Sequence, residues 1–222
     1  MPPSPHRLPL RTLSAPRFAP YLRHTAGDAD RAGRLYWWNI EAAGAFYGPL
    51  HCLEVALRNA LHDCLAAHFG RADWWEAAPL KRPNRHQVRA AEAKARTKTR
   101  GRWTADDVVA ELSFGFWVSL LSRGYDRHLW RPALDRQRAF PQYRGSRGDL
   151  HDGLLSLVYL RNRIMHHEPV HARDLAADHV KICRMLGFLS VDLADRVVAL
   201  ARVTAVLSRK EEVCSGLAEP SF

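Results

Sequence analysis

Between Tyr159 and Pro169 the chain reads Tyr-Leu-Arg-Asn-Arg-Ile-Met-His-His-Glu-Pro. Arg161, Asn162, Arg163, His166 and His167 therefore fall within seven residues. A histidine titrates near neutrality and can take up or release a proton at working pH. A guanidinium grips phosphate with a fork of donors and stabilises charge that develops on it. An asparagine can orient the imidazole or the substrate. Such a set suffices for RNA cleavage without a metal. A 2′-hydroxyl is deprotonated, attacks the adjacent phosphate and leaves a cyclic phosphate end.

The element that must position these groups is a helix from Arg147 to about Glu168, with Leu150, Leu154, Leu157 and Val158 along one side. Pro169 closes it, because the residue before a proline is pushed out of the α region. At about 100° per residue, Asn162 lies beneath His166 and Arg163 beneath His167, with Arg161 on the adjoining edge. The carbonyls at a helix C-terminus carry partial negative charge, which favours imidazolium. The competing reading is structural: a histidine that only caps carbonyls and an arginine that pairs with a distant acid. His167-Glu168-Pro169-Val170-His171 also has the spacing of a zinc-protease HExxH motif. That motif needs an unbroken helix, and Pro169 interrupts it. No glycine-rich phosphate loop or nucleophile elbow appears, so neither cofactor nor metal is expected.

The remaining chain reads as helices. From Asp28 to Phe69, Leu35, Trp38, Ala42 and Phe46 recur at helical spacing, as do Leu50, Leu53, Leu57, Leu61, Cys64 and Leu65. Gly48-Pro49 either kinks one long helix or separates two. Glu54, Arg58 and His62 form a line on it, with Asn59 beside Arg58. They are either a surface ion pair with a neighbouring histidine or a second polar wall of a cleft. Lys81–Arg102 holds nine Lys/Arg and one acid, Glu92, and is expected to be a solvated, partly mobile helix. Arg82, Arg85, Arg89, Arg96 and Arg100 could follow an RNA backbone by charge alone, or form a solvated face. Asp106 and Asp107 read as acids of a helix start after Thr104, and Trp37, Trp38 and Trp117 as core. A helix through Leu121, a loop over Trp130–Arg147, and helices at Ala172–Phe188 and Val191–Ser208 complete the pattern. The expectation is an all-α, single-domain bundle of about five to seven helices over residues 28–208. An extended arm over 1–27 precedes it and a flexible tail over 209–222 follows.

The net charge of +10 and the pI of about 9.9 attract polyanions such as RNA. Arginine outnumbers lysine 28 to 5, a bias that base composition alone can also produce. No run of eighteen uncharged residues marks a membrane span, and the Pro- and Arg-rich start has no apolar signal core. Cys52, Cys64, Cys183 and Cys214 form no CxxC pair and read as reduced thiols of a cytoplasmic protein.

Arg161-Asn162-x3-His166 resembles the R-x4-6-H motif of HEPN ribonucleases. Leu160–Val170 resembles the RNRxxHHEPV signature of Abi-like (abortive-infection) proteins within that superfamily. Tyr36–Leu61 and Glu111–Leu121 fit the same family, so the resemblance spans roughly residues 30–190. It implies a HEPN-like helical bundle and a role in phage defence. It also implies a homodimer in which two motifs meet to cut RNA, with Arg161 and His166 as the catalytic pair. Asn162 would support them, and His167 is the alternative catalytic histidine. Arg163, Glu54, Arg58, Asn59 and His62 are secondary cleft candidates. An antitoxin or regulatory RNA is a conceivable further partner. Because many HEPN domains do not cleave, the alternative is a non-catalytic module that binds RNA or protein in a defence or toxin–antitoxin system.

Overall fold

The structure is a computed structural model that describes residues 13–135 and 138–221. Among these, every regular element is helical. The helices are α1 (Ala15–His24), α2 (Ala29–Phe69), α3 (Arg82–Lys98), α4 (Ala105–Glu111), α5 (Phe114–Ser119) and α6 (Arg147–Met165). After these come α7 (Leu175–Leu189), α8 (Val191–Leu200), α9 (Val203–Ser208) and α10 (Lys210–Ser215). Among the described residues ten α-helices replace the five to seven expected, because α1 and α10 arise in the supposed arm and tail and two expected helices are each divided. No helix among the described residues is long and apolar enough to cross a membrane.

Contacts gather into two compact units, each built from separate stretches of chain. The first comprises residues 13–50, 160–180 and 197–221; the second comprises residues 51–135, 138–159 and 181–196. The division within α2 falls one residue after Pro49, which α2 accommodates without ending.

In the first unit α1 corrects the reading of an extended arm. Pro16 sits in the first turn, where its missing N–H is not needed. Phe18 and Tyr21, three apart, face inward and are buried. Residues 1–12 of the expected arm lie outside the described residues. The C-terminal segment is likewise fastened rather than a flexible tail. Arg209 pairs with Glu41 at 3.0 Å, and Ser221 N donates to the same carboxylate at 3.1 Å. Glu41 is only 3% exposed, whereas the Arg209 side chain is 35% exposed, so a buried carboxylate meets a half-buried guanidinium. Trp38 Nε1 donates to Val206 O, and Arg34 Nε to Cys214 O.

In the second unit the stripe Leu53, Leu57, Leu61 and Leu65 is fully buried, as its spacing predicts. The basic helix α3 is anchored along one side by Val88, Ala91, Ala95 and Asn84. Asn84 donates to Ser119 Oγ and accepts from Tyr125 Oη, which in turn accepts from Lys81 N. Thr104 and Asp107 form a capping box at α4, so Asp107 is a helix-start acid as read. The helix expected to run on to Leu121 breaks at Leu112. There Ser113 Oγ accepts from Phe116 N and starts α5 afresh.

Candidate active site

The Arg161–His167 segment lies wholly in the first unit. Helix α6 stops at Met165, three residues short of the expected Glu168. The stop is a Schellman turn. Glu168 N bonds back to Arg163 O at 2.8 Å and His167 N to Ile164 O at 3.0 Å. His167 takes the left-handed position of that turn, with φ at +56°. Glycine usually fills this place, and histidine is among the few side chains found there with some frequency. The supposed stacking of His167 over Arg163 is thereby lost. Asn162 and His166 keep their helical relation, since His166 N still bonds to Asn162 O at 2.9 Å.

The turn is pinned from three sides. Arg163 donates through Nε and Nη2 to Pro169 O, at 3.2 and 2.7 Å, and its charge faces Glu168 at 3.7 Å. Arg17 Nη1 donates to His167 O at 2.6 Å. Asn39 Oδ1 accepts from both Val170 N and His171 N, at 2.8 and 3.0 Å. Arg163 thus holds the turn through the backbone. Asn162, His166 and His167 are exposed beside it, and Arg161 is half-buried. A cavity of about 320 Å³ opens against the turn, lined in part by Arg17, Tyr21, Tyr36, Asn39, His167 and Glu168. It is at the small end of ligand-sized pockets and offers two phenol rings and charges of both signs.

His171 sits at the far end of the same segment, buried against Tyr21 and His24 at ring separations of 4.7 and 4.8 Å. Burial, helped by the nearby His24, Lys210 and Arg163, pushes its pKa down to about 4. It is therefore neutral at working pH, and its Nδ1 is buried without a hydrogen-bond partner among the described residues. Because α6 ends before His167 and His171 is buried, the two histidines of the HExxH spacing share no helical face. A zinc-protease site is excluded on geometry.

The other sequence candidates lie in the second unit. Glu54 Oε1 accepts from Phe114 N at 3.1 Å and so holds the start of α5. His62 Nδ1 accepts from the buried Trp74 Nε1 at 3.2 Å. Arg58 Nε reaches its neighbour Asn59 at 3.3 Å. Glu54 and His62 thus have structural tasks. Arg82, Arg85, Arg89 and Arg96 are exposed on α3, and Arg100 is exposed just beyond it. Seven-residue steps drift by only about 20° on a helix, so Arg82, Arg89 and Arg96 form one stripe. Trp38 and Trp117 are core, as their spacing suggested; Trp37 is half-buried.

Arg17 and Asn39 were missed as site residues. Arg17 stood in a proline-rich stretch that gave no helical period. Asn39 follows two tryptophans, and nothing in that spacing says its amide meets residues 131 positions away. No protein-family model, curated protein or solved structure matches the chain.

Proposed function

We propose that the chain is an RNA-cutting protein of the Abi-like branch of the HEPN superfamily. It would act without a metal, as a homodimer, in defence against phage. The observation that carries this reading is the pinned Schellman turn, which leaves His166, His167 and Asn162 exposed together at the end of one helix beside Arg161. Three side chains fix the backbone of a turn whose own imidazoles face solvent, an arrangement suited to holding reactive groups in place.

On this reading His166 takes the proton from an RNA 2′-hydroxyl. The 2′-oxygen then bonds to phosphorus while the bond from phosphorus to the 5′-oxygen breaks. The leaving 5′-oxygen is protonated by an imidazolium, from His167 or from the second copy's motif. Arg161 stabilises the charge that builds on the phosphate oxygens. The products are a 2′,3′-cyclic phosphate and a 5′-hydroxyl. End analysis of RNA cut in EDTA tests this chemistry. Fragments with 5′-phosphates and free 3′-hydroxyls would contradict it.

A further inference from the structure

We propose that the second unit carries a phosphate-binding pocket separate from the His166 turn, one that seats phosphate groups of the RNA. The inference rests on the RNA reading above and adds to it. The chain leaves Leu121 through a 3-10 turn, Arg123–Tyr125, and then a π-helical turn, Asp126–Trp130. Arg131 N closes that wider turn on Asp126 O at 3.0 Å. π turns occur often at functional sites.

Around these turns lies a cavity of about 410 Å³, lined by Arg123, Asp126, Arg127, His128, Arg131 and Arg147 together with Gly124. Asp126 divides its carboxylate between two guanidiniums, Arg131 at 2.8 Å and Arg147 at 3.3 Å. Arg147 is further fixed by donating to Leu121 O, and its side chain is only 17% exposed. Arg123 and Arg127 are exposed and have no ion-pair partner among the described residues. The lining thus holds four arginines and one carboxylate. A surplus of three positive charges is gathered around one concave space, which favours an anion there. The ammonium of Lys81 adds to them. It lies where a β-carbon of Gly124 would be, and 5.3 Å from the Tyr125 ring centre. The residue after Lys81 is Arg82, the first of the α3 stripe.

A single carboxylate ligand would leave most of this charge uncompensated. Phosphate oxygens match the forked donors of several arginines at once. Both chain phosphodiesters and a terminal polyphosphate offer that chemistry.

The test is fluorescence anisotropy of a labelled single-stranded RNA on the full chain, in EDTA and in a His166→Ala background. Arg123→Ala/Arg127→Ala is compared with Arg184→Ala/Arg196→Ala, which removes two exposed arginines of the same unit elsewhere. Thermal melts confirm that all variants fold. The pocket pair is expected to weaken binding about tenfold or more. It should also make the plot of log K against log salt shallower by about 1.4, the value for two single-strand phosphate contacts. The control pair should change affinity by less than about threefold, as for charges remote from the contact. Equal losses in both pairs, or none in the pocket pair, would overturn the proposal. RNA with a 5′-triphosphate and the same RNA with a 5′-hydroxyl separate the two sources. A preference for the triphosphate that vanishes in the pocket pair assigns terminal phosphates, and equal binding assigns the chain. Pocket-dependent binding by a protein that cuts nothing would keep this proposal and sink the ribonuclease reading. Cutting without pocket-dependent binding would do the reverse.

Discussion

His167 holds a backbone conformation that glycine adopts at no steric cost and other residues adopt at about 1 kcal/mol or more. His167→Gly therefore removes the imidazole while easing the turn. It should leave the fold intact and raise stability by up to about 1 kcal/mol, read from urea unfolding. If cleavage persists in this variant, the proton donor is not His167. A loss of stability would show that the ring is packed rather than presented. His171 makes a different prediction. In the folded chain it gains a proton only near pH 4, whereas an unfolded histidine does so near 6.5. Between these values the unfolded state binds more protons, so stability falls as the pH is lowered through that window. The full effect is on the order of 3 kcal/mol. The groups around it, Tyr21 and His24 on α1, Arg163 on α6 and Lys210 on α10, include no acid. His171→Phe should flatten the acid limb of stability against pH; an unchanged limb would assign it to other groups. The order Arg-Asn-x3-His was legible in the sequence. The left-handed turn was not, since glycine is its usual signal and here a histidine fills it.

Elements whose order follows from local pattern were legible: the leucine stripe of α2 and the acidic start of α4 after Thr104. Those set by distant partners were not. The division between α4 and α5 depends on Ser113 and on Glu54, sixty residues away. Ser113→Ala and Glu54→Ala should each cost about 1 kcal/mol of stability. If Glu54→Ala abolishes cleavage while stability is unchanged, Glu54 belongs to the chemistry instead. The C-terminal segment looked like a tail because its apolar residues are few, yet Arg209 reaches a carboxylate that is 3% exposed. Arg209→Ala removes one partner of that buried carboxylate while Ser221 N still donates to it, and should destabilise the fold by about 2 kcal/mol. A change within 0.5 kcal/mol, the range of ordinary surface substitutions, would mean the pair is screened by solvent. The gap between α8 and α9 contains neither glycine nor proline, so no local signal marked it.

For the whole molecule, the surplus of positive charge was visible at once, but not its distribution. Arg123, Arg127, Arg131 and Arg147 are spread over 25 residues and come together only through the turns that follow Leu121. The expected partner in solution is a second copy, and light scattering should give twice 25.2 kDa at the concentration where RNA is cut. Cutting by a species of single mass would place the whole site within one chain.

The most direct test of the central claim is RNA cleavage in EDTA by the wild-type chain beside folded His166→Ala and Arg161→Ala variants. The account predicts cutting by the wild type, with a fall of at least about a hundredfold in each variant, the usual share of a proton-transfer group or charge-stabilising donor. Undiminished cutting by His166→Ala would contradict it.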